Sequence, residues 1–142
     1  MSNVIDSFRD EFDWLSNFFP CPVEFEGLTF GNTEAVFQAA KTLDMEERER
    51  FLGLSGGQAK RLGRRVELRS DWETVKIEIM RQVLKSKFTQ NPELREKLIA
   101  TGDAELIEGN NWRDFYWGVC NGKGQNHLGK LLMEVRVELK GE

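Results

Sequence analysis

The polar residues of the segment NTEAVFQAAKTLD, at positions 32–44, are the first candidates for chemistry. Glu34, Gln38 and Lys41 follow one another at intervals of four and three residues, a spacing that places them on one face of a helix. A carboxylate can act as a general base, and a lysine amine can act as a nucleophile. This face is therefore either the edge of an active site or an ordinary solvent-exposed helix surface.

The helix that would carry these residues has a predicted apolar stripe on its other side. The stripe consists of Val36, Ala39, Ala40 and Leu43. Asn32 or Thr33 is expected to be its N-cap. Phe37 borders the polar face, where a solvated helix seldom places a large aromatic side chain, and Glu34 lies in the first turn, where the helix dipole favours an anion. These two details favour a functional face, whereas the spacing alone is compatible with plain solvation.

A basic segment, AKRLGRRVELR at positions 59–69, stands out in a chain whose net charge is −4. Its cationic residues are Lys60, Arg61, Arg64, Arg65 and Arg69. The negative total charge argues against general nucleic-acid binding, which needs a broad basic field. The segment is therefore either a site for a small anion or a solvated helix face.

A long loop, NNWRDFYWGVCNGKGQN at positions 110–126, offers two further candidates. GKGQN precedes a predicted helix, so that its backbone N–H groups either bind phosphate or form a plain turn. DFYWG places the Asp114 carboxylate beside aromatic rings, which either stack on a base or sugar or pin the loop to the core. His127 is the only histidine, and without a second ligand nearby it is interpreted as a surface residue rather than a metal ligand.

Length and composition predict one domain that spans residues 1–142, with 39% apolar residues to form its core. Cys21 and Cys120 lack the spacing of metal ligands and are expected to be free thiols of a reducing compartment. The N-terminal segment lacks a secretion signal, and no apolar run approaches the roughly 18 residues of a membrane span. The protein is therefore expected to be soluble and cytoplasmic, without contact to a membrane.

Periodicity predicts a compact, mainly helical α+β fold with a small β element. PVEFEGLTF is expected to form a hairpin around Glu26-Gly27. The predicted helices after the first one cover 45–54, 58–65, 70–90, 92–101 and 128–139, and residues 105–108 are a possible short strand. Ser70 and Glu73 are expected to form a capping box at the start of the longest helix. Gly102 is expected to end the helix that begins at Pro92, and Gly129 to allow close packing of the last helix.

Several further segments occur in a specific order. They are SNF at 16–18, TEAVFQAAK at 33–41, AKRLGRR at 59–65, LRSDWETVK at 68–76, KFTQNPELREKLIATG at 87–102, DFYWG at 114–118 and GKGQNHLGKLLMEVR at 122–136. Together they resemble the YbiA-like family, also called NADAR, along nearly the whole chain. The resemblance implies N-glycosidase activity on a ribose C1′–N bond. The implied substrate is a phosphorylated ribosylamino-pyrimidine of riboflavin synthesis or ADP-ribosylated guanine in nucleic acid.

The resemblance also implies roles for individual residues. Glu34 is the expected catalytic carboxylate, with Asp114 as the second choice, and Lys41 either pairs with the substrate or attacks the anomeric carbon to form a Schiff base. The implied substrate-binding residues are Asn17, Phe18, Gln38, Arg64, Arg69, Trp72, Trp117, Gly118, Lys123 and Asn126. Among them, Arg64, Arg69 and Lys123 are expected to hold phosphate, while Trp72 fits a core tryptophan equally well. No metal and no redox cofactor is needed for this chemistry.

The chain departs from the family pattern in two places. The family commonly has a histidine directly after the motif glutamate, where this chain has Ala35, and an aromatic-proline pair where this chain has Phe30-Gly31. The first departure leaves a second hypothesis open, namely a non-catalytic module that binds ADP-ribose or a nucleotide. The oligomeric state does not follow from the sequence.

Overall fold

A computed structural model describes residues 3–141 of the chain. The helices are α1 (Thr33–Ala39), α2 (Met45–Glu49), α3 (Gly56–Gly63), α4 (Trp72–Gln90), α5 (Pro92–Ala100) and α6 (His127–Lys140), preceded by a 3-10 segment (Asp10–Leu15). The strands are β1 (Val4–Ile5), β2 (Val23–Phe25), β3 (Leu28–Phe30), β4 (Glu105–Leu106), β5 (Gly109–Asn110) and β6 (Val119–Cys120). The predicted α+β class with mainly helical content is confirmed.

The chain divides into two compact units. Residues 17–91 form one, called here the 17–91 unit, and residues 3–16 with 92–141 form the other, called the two-segment unit. That residues 1–142 act as one domain stays a prediction.

The first structure in the 17–91 unit is the predicted hairpin. Strands β2 and β3 pair antiparallel, with Val23 opposite Phe30 and Phe25 opposite Leu28. Glu26 and Gly27 both adopt the left-handed region, at φ of 47° and 89°, as a tight two-residue hairpin turn requires. The hairpin prediction is confirmed.

Helix α4 supplies the longest apolar face of the same unit. Its buried apolar side chains are Trp72, Ile79, Met80, Val83, Leu84 and Phe88. The helix packs against β2 and against α1. The predicted capping box is wrong, because the N-cap is Asp71, and its side chain makes no capping hydrogen bond.

Helix α1 is shorter and more deeply buried than the sequence predicted. It ends at Ala39, so that Lys41 lies just beyond the helix and Leu43 is 65% exposed instead of buried. Asn32 is the N-cap, as expected, and its Oδ1 accepts a hydrogen bond from the Ala35 N–H at 2.8 Å. The Asn32 Nδ2 donates to the Leu54 carbonyl at 2.9 Å, which ties the start of α1 to the segment before α3.

Helix α2 differs from its predicted bounds at its end, and helix α3 differs at both ends, since it stops at Gly63 and not at Arg65. The predicted helix 45–54 ends early, at Glu49. Helix α3 begins two residues before its predicted start, because Ser55 and Gln58 form a capping box that admits two glycines into the first turn.

The two-segment unit contains α5 and α6, which pack on each other. Helix α5 begins at Pro92 and is followed by Gly102 at φ 66°, as predicted. Helix α6 approaches β4 closely, because a Cβ at Gly129 would overlap the Leu106 carbonyl oxygen. The short parallel pairs β1–β4 and β5–β6 complete the unit, and the predicted strand 105–108 is reduced to Glu105–Leu106.

Cys21 and Cys120 are free and buried thiols, as predicted. Over residues 3–141, no helix is both long enough and apolar enough to span a bilayer.

We expect Asn32→Ala to destabilise the protein by about 2 kcal/mol, because it removes the helix cap and leaves the Leu54 carbonyl without its donor. Urea unfolding followed by circular dichroism measures this difference. Asn111→Ala, at an exposed position, is the matched control and should change the free energy of unfolding by less than about 0.5 kcal/mol. Equal unfolding midpoints for the two variants would contradict the role of Asn32.

Candidate active site

Every residue of α1 is buried, including the polar ones. Glu34 is 9% exposed and Gln38 is 5% exposed. The helix contacts α2, α3, α4 and both strands of the hairpin, so that it runs through the interior of the 17–91 unit. The interpretation of Glu34 and Gln38 as an ordinary solvated helix face is therefore wrong.

The Glu34 carboxylate is held by a neighbour on its own helix. Gln38 Nε2 donates a hydrogen bond to Glu34 Oε2 at 2.6 Å. The backbone N–H of Glu34 donates to the Asn17 carbonyl at 2.9 Å, which fixes the first turn of α1 against the segment before the hairpin. Glu34 therefore combines burial, a fixed backbone and a position at the positive end of the helix dipole.

Lys41 lies directly after the C-cap residue of α1 and is half-buried. Burial lowers the pKa of its ammonium group, and the charges of Arg64, Lys60 and Lys76 lower this pKa further, whereas Glu34 raises it. A lowered pKa increases the fraction of neutral amine near pH 7, which is the form that acts as a nucleophile.

Arg69 fixes the backbone around Lys41. Its N–H donates to the Lys41 carbonyl at 2.8 Å, and its Nη1 donates to the Ala40 carbonyl at 3.4 Å. The same guanidinium forms a two-pronged ion pair with Asp71, with Nε–Oδ1 at 2.7 Å and Nη2–Oδ2 at 3.1 Å. The hydrogen bond from Arg69 lowers the pKa of Asp71. Arg69 therefore has structural partners, in addition to any role it has with phosphate.

Three of the other predicted residues in this unit differ in exposure. Trp72 is 5% exposed, and its ring contacts that of Phe37 at a centroid distance of 4.9 Å, so that it belongs to the core. Arg64 is exposed at the C-cap of α3. Phe18 is 47% exposed and covers Gly56 at the start of α3, where a Cβ would lie 2.7 Å from its Cγ.

Asn17 contributes more than its backbone carbonyl. Its Nδ2 lies 3.8 Å from the Met80 sulfur, and its Oδ1 is buried without a hydrogen-bond partner among residues 3–141. The Thr33 hydroxyl oxygen and Gln38 Oε1 are also buried without a hydrogen-bond partner among residues 3–141. These three residues are all neighbours of Glu34: Thr33 precedes it in the chain, the Asn17 backbone carbonyl accepts its N–H, and the Gln38 amide donates to its carboxylate.

Asp114, Trp117, Gly118, Lys123 and Asn126 lie in the two-segment unit. There, Asp114 organises its own loop, since its Oδ1 accepts hydrogen bonds from the N–H groups of Tyr116 at 3.1 Å and Trp117 at 2.9 Å. The Trp117 ring packs against those of Tyr116 and His127. The structure thus supports the interpretation in which DFYWG pins the loop.

Asn126 and Gly118 also have structural partners in that unit. The Asn126 Oδ1 accepts from the Glu108 N–H at 3.0 Å, and its Nδ2 donates to the Leu106 carbonyl at 2.9 Å. A Cβ at Gly118 would overlap the side chain and the carbonyl of Glu108. These contacts account for an asparagine at position 126 and a glycine at position 118 without a ligand.

The start of α6 is the predicted phosphate site at GKGQN. The first two amides of the helix are already used, because the His127 N–H donates to the Tyr116 carbonyl at 3.1 Å and the Leu128 N–H donates to the Trp117 carbonyl at 2.9 Å. Lys123 is exposed in the turn before them. The geometry therefore favours a plain turn.

The charges of Lys60 and Lys76 act on Lys41. Lys60 is one of the cations of the basic segment 59–69, which the sequence offers as a small-anion site or a solvated face, whereas Lys76 has no predicted site role. Lys76 follows Trp72 by one helical turn, so that both side chains lie on the same face of α4. Because Trp72 packs on Phe37 of α1, this spacing relates Lys76 to the site.

A groove of about 640 Å³ in the two-segment unit is lined by Val4, Ile5, Phe12 and Ala100 among others, and its lining includes no candidate residue. Among the residues that the structure describes, no cluster of three or more His, Cys, Asp or Glu side chains is placed to hold a metal ion.

Known proteins resemble this chain over most of its length. The NADAR domain model matches residues 6–140. The N-glycosidase YbiA of Shigella boydii is 44% identical over 137 residues, which cover 94% of this chain and 85% of that protein. A riboflavin biosynthesis protein of Vibrio vulnificus is 39% identical over 131 residues, covering 89% of this chain and 35% of that protein. The NMR structure of Escherichia coli YbiA matches with a TM-score of 0.87 and 41% identity, covering 99% of this chain and 87% of that one.

We expect Arg64→Met to raise the pKa of Lys41, because it removes a like charge that disfavours the ammonium form. Competitive acetylation over a pH series, with mass spectrometry of the Lys41 peptide, gives the midpoint of amine reactivity. Arg61→Met removes the same charge from an exposed position of α3 and should leave the midpoint nearly unchanged. The interpretation fails if Arg64→Met shifts the midpoint no more than Arg61→Met does.

Proposed function

Since the chain belongs to the NADAR domain family and is an N-glycosidase, we propose that it hydrolyses the ribose C1′–N bond of a phosphorylated ribosylamino-pyrimidine. The observation that carries the proposal is the buried Glu34 carboxylate, held by Gln38 in the helix that leads to Lys41. The riboflavin biosynthesis protein among its relatives supports this substrate class. The non-catalytic module is not retained, because relatives that match most of the chain are named as N-glycosidases.

Glu34 supplies negative charge at the reacting carbon. Cleavage of a C1′–N bond develops positive charge on the anomeric carbon and ring oxygen, as in glycoside hydrolysis. A carboxylate of low exposure interacts with that charge more strongly than a hydrated one, because less water screens it. Asp114 is a weaker candidate, since its Oδ1 is used by two backbone amides.

Lys41 acts as a nucleophile in the proposed route. Its neutral amine forms a bond to C1′ as the C1′–N bond breaks, and the leaving nitrogen takes up one of the two Nζ protons and departs as the free amine. Ring opening moves the proton from Nζ to the ring oxygen and gives an imine. Addition of water to the imine then releases the sugar phosphate and restores the lysine amine.

The phosphate of the substrate needs cations close to this lysine. Arg64 and Lys60 of the basic segment are exposed, and both influence Lys41 electrostatically. Arg69 already pairs with Asp71, so we assign it mainly to holding the backbone of Lys41. A cationic group of this size fits a small phosphorylated substrate.

ADP-ribosylated guanine in nucleic acid is the second candidate substrate. It contains the same class of ribose C1′–N bond, so that Glu34 and Lys41 would have the same roles. The net charge of −4 gives little support for binding a long polyanion. We therefore rank the small phosphorylated substrate first.

The test compares a ribosylamino-pyrimidine phosphate with an ADP-ribosylated guanosine oligonucleotide. Chromatography of the released base and sugar phosphate measures turnover. We expect turnover of the first substrate, and a loss of at least about 100-fold in kcat for Glu34→Gln, since a positioned acid–base group contributes about that much or more. Glu49→Gln, at an exposed position of α2, is the matched control. Full activity of Glu34→Gln would remove Glu34 from the mechanism.

The Schiff base has its own test. Borohydride reduction during turnover should attach the sugar phosphate to wild-type protein, with the added mass on the Lys41 peptide. Lys41→Met should give no adduct and little turnover. An active Lys41→Met variant, or an adduct on another lysine, would argue for direct attack of water instead.

A further inference from the structure

We propose that Gln38 is a positioning residue for Glu34 and that Gly63 on α3 holds its carboxamide in place, so that α3 forms part of the catalytic apparatus. The inference rests on the proposed role of Glu34. It replaces the expectation that Gln38 binds substrate.

The first observation is the hydrogen bond between the two side chains. Gln38 Nε2 lies 2.6 Å from Glu34 Oε2, and Gln38 follows Glu34 by one helical turn. Both side chains are at least nine-tenths buried, so that little water competes for this bond. The rotation of the Glu34 carboxylate is therefore coupled to the position of the Gln38 amide.

The second observation is the contact on the other side of the amide. Gly63 is buried, and a Cβ at this position would overlap Gln38 Oε1 and lie 2.8 Å from its Cδ. Since the φ of Gly63 is not in the left-handed region, it is the close packing against Gln38, and not a backbone conformation, that favours a glycine here. Because Gly63 has no side chain, the Gln38 carboxamide has room to pack against its backbone.

The chemistry of the amide fixes its orientation. With Nε2 towards Glu34, a donor meets a carboxylate, which is the stronger type of hydrogen bond. The flipped amide would place Oε1 against the carboxylate, so that two acceptors would repel each other, and would point its NH₂ group at the Gly63 methylene. The packing at Gly63 and the bond to Glu34 therefore favour the same orientation.

The arrangement has a cost that points to a function. Gln38 Oε1 has no hydrogen-bond partner within residues 3–141, and a buried acceptor without a donor destabilises a fold. A methionine of similar length would fill the space without that cost. A lysine or arginine would donate to Glu34 as well, but would cancel the charge that the reaction needs, whereas a glutamine holds the carboxylate and leaves its charge.

The expected kinetic effect follows from the lost donor. Gln38→Met should lower kcat by about 10- to 100-fold with a smaller change in KM, since a hydrogen bond to a charged group is removed away from the substrate. The acid limb of the kcat profile should move to higher pH, because the ionised carboxylate loses a hydrogen bond that stabilised it. The charged groups that act on the neighbouring Lys41 are Glu34, Arg64, Lys60 and Lys76, and none of them changes in this variant.

The role of Gly63 is tested through a double-mutant cycle. Gly63→Ala alone should lower kcat and shift the acid limb in the same direction as Gln38→Met. In a Gln38→Ala background the added methyl group meets no amide, so that Gly63→Ala should then cost much less than it does alone. Gly57→Ala is the control for an alanine in α3, because its Cβ would lie 3.9 Å from the nearest side-chain atom, Arg61 Nη1.

Each outcome decides one question. Wild-type turnover in Glu34→Gln would remove the proposed function of the site, and the inference with it. An inactive Glu34→Gln together with a wild-type kcat and pH profile in Gln38→Met would overturn the inference alone. Additive losses in Gln38→Ala and Gly63→Ala would show that Gly63 does not act through Gln38.

Thermal unfolding of each variant separates these effects from loss of fold. Gln38→Met keeps the side-chain volume, so that it provides the kinetic test if Gly63→Ala does not fold.

Discussion

The burial of helix α1 is the constraint on which the rest of the 17–91 unit depends. A helix of seven residues has too few internal hydrogen bonds to persist alone, so its stability comes from the elements packed around it. Those elements are the hairpin, α2, α3 and α4. Because the buried helix contains Glu34 and Gln38, polar groups in the interior must satisfy one another, and the hydrogen bond between them does so for the carboxylate. The carboxyl group of Glu34 and its amide partner therefore lie among the buried apolar side chains of this unit.

The end of α1 determines the properties of Lys41. The helix stops at Ala39, and the Arg69 N–H binds the Lys41 carbonyl, so that the lysine is held close to the interior and not carried on along a solvated helix. Burial and three neighbouring cations lower the pKa of its amine, while Glu34 opposes them. The ion pair with Asp71 keeps Arg69 close to the lysine backbone while it neutralises part of its charge. Partial burial and nearby cations favour the neutral amine, which is the form that the proposed nucleophilic role of Lys41 requires.

The sequence predicted the elements whose signals are local. The hairpin turn needs residues that adopt positive φ, and α5 has a proline at its start and a glycine after its end, so that these elements followed from residue types. The length and burial of α1 did not follow from residue types. Leu43 continues the apolar spacing of the helix, although the helix has already ended at Ala39. The capping prediction at Ser70 failed because the N-cap is Asp71, whose side chain pairs with Arg69 and makes no capping hydrogen bond. In the candidate site, Glu34 and Lys41 could be chosen from the sequence because a carboxylate and an amine suit the chemistry. The contact between Gln38 and Gly63 could not, because it depends on how two helices pack and has no sequence pattern of its own.

The resemblance to the NADAR family implies a histidine where this chain has Ala35, and an alanine side chain cannot move protons. Ala35 is fully buried within α1, so that this position presents a methyl group to the interior and nothing that titrates. The only histidine of the chain, His127, belongs to the two-segment unit, where its ring packs on Tyr116 and its Nε2 lies 3.1 Å from the Gln125 amide oxygen. The titratable groups proposed for the reaction in the 17–91 unit are therefore a carboxylate and an amine whose pKa lies below its ordinary value. In the proposed route the amine forms the bond to carbon, while the carboxylate stabilises the charge and accepts the proton from water.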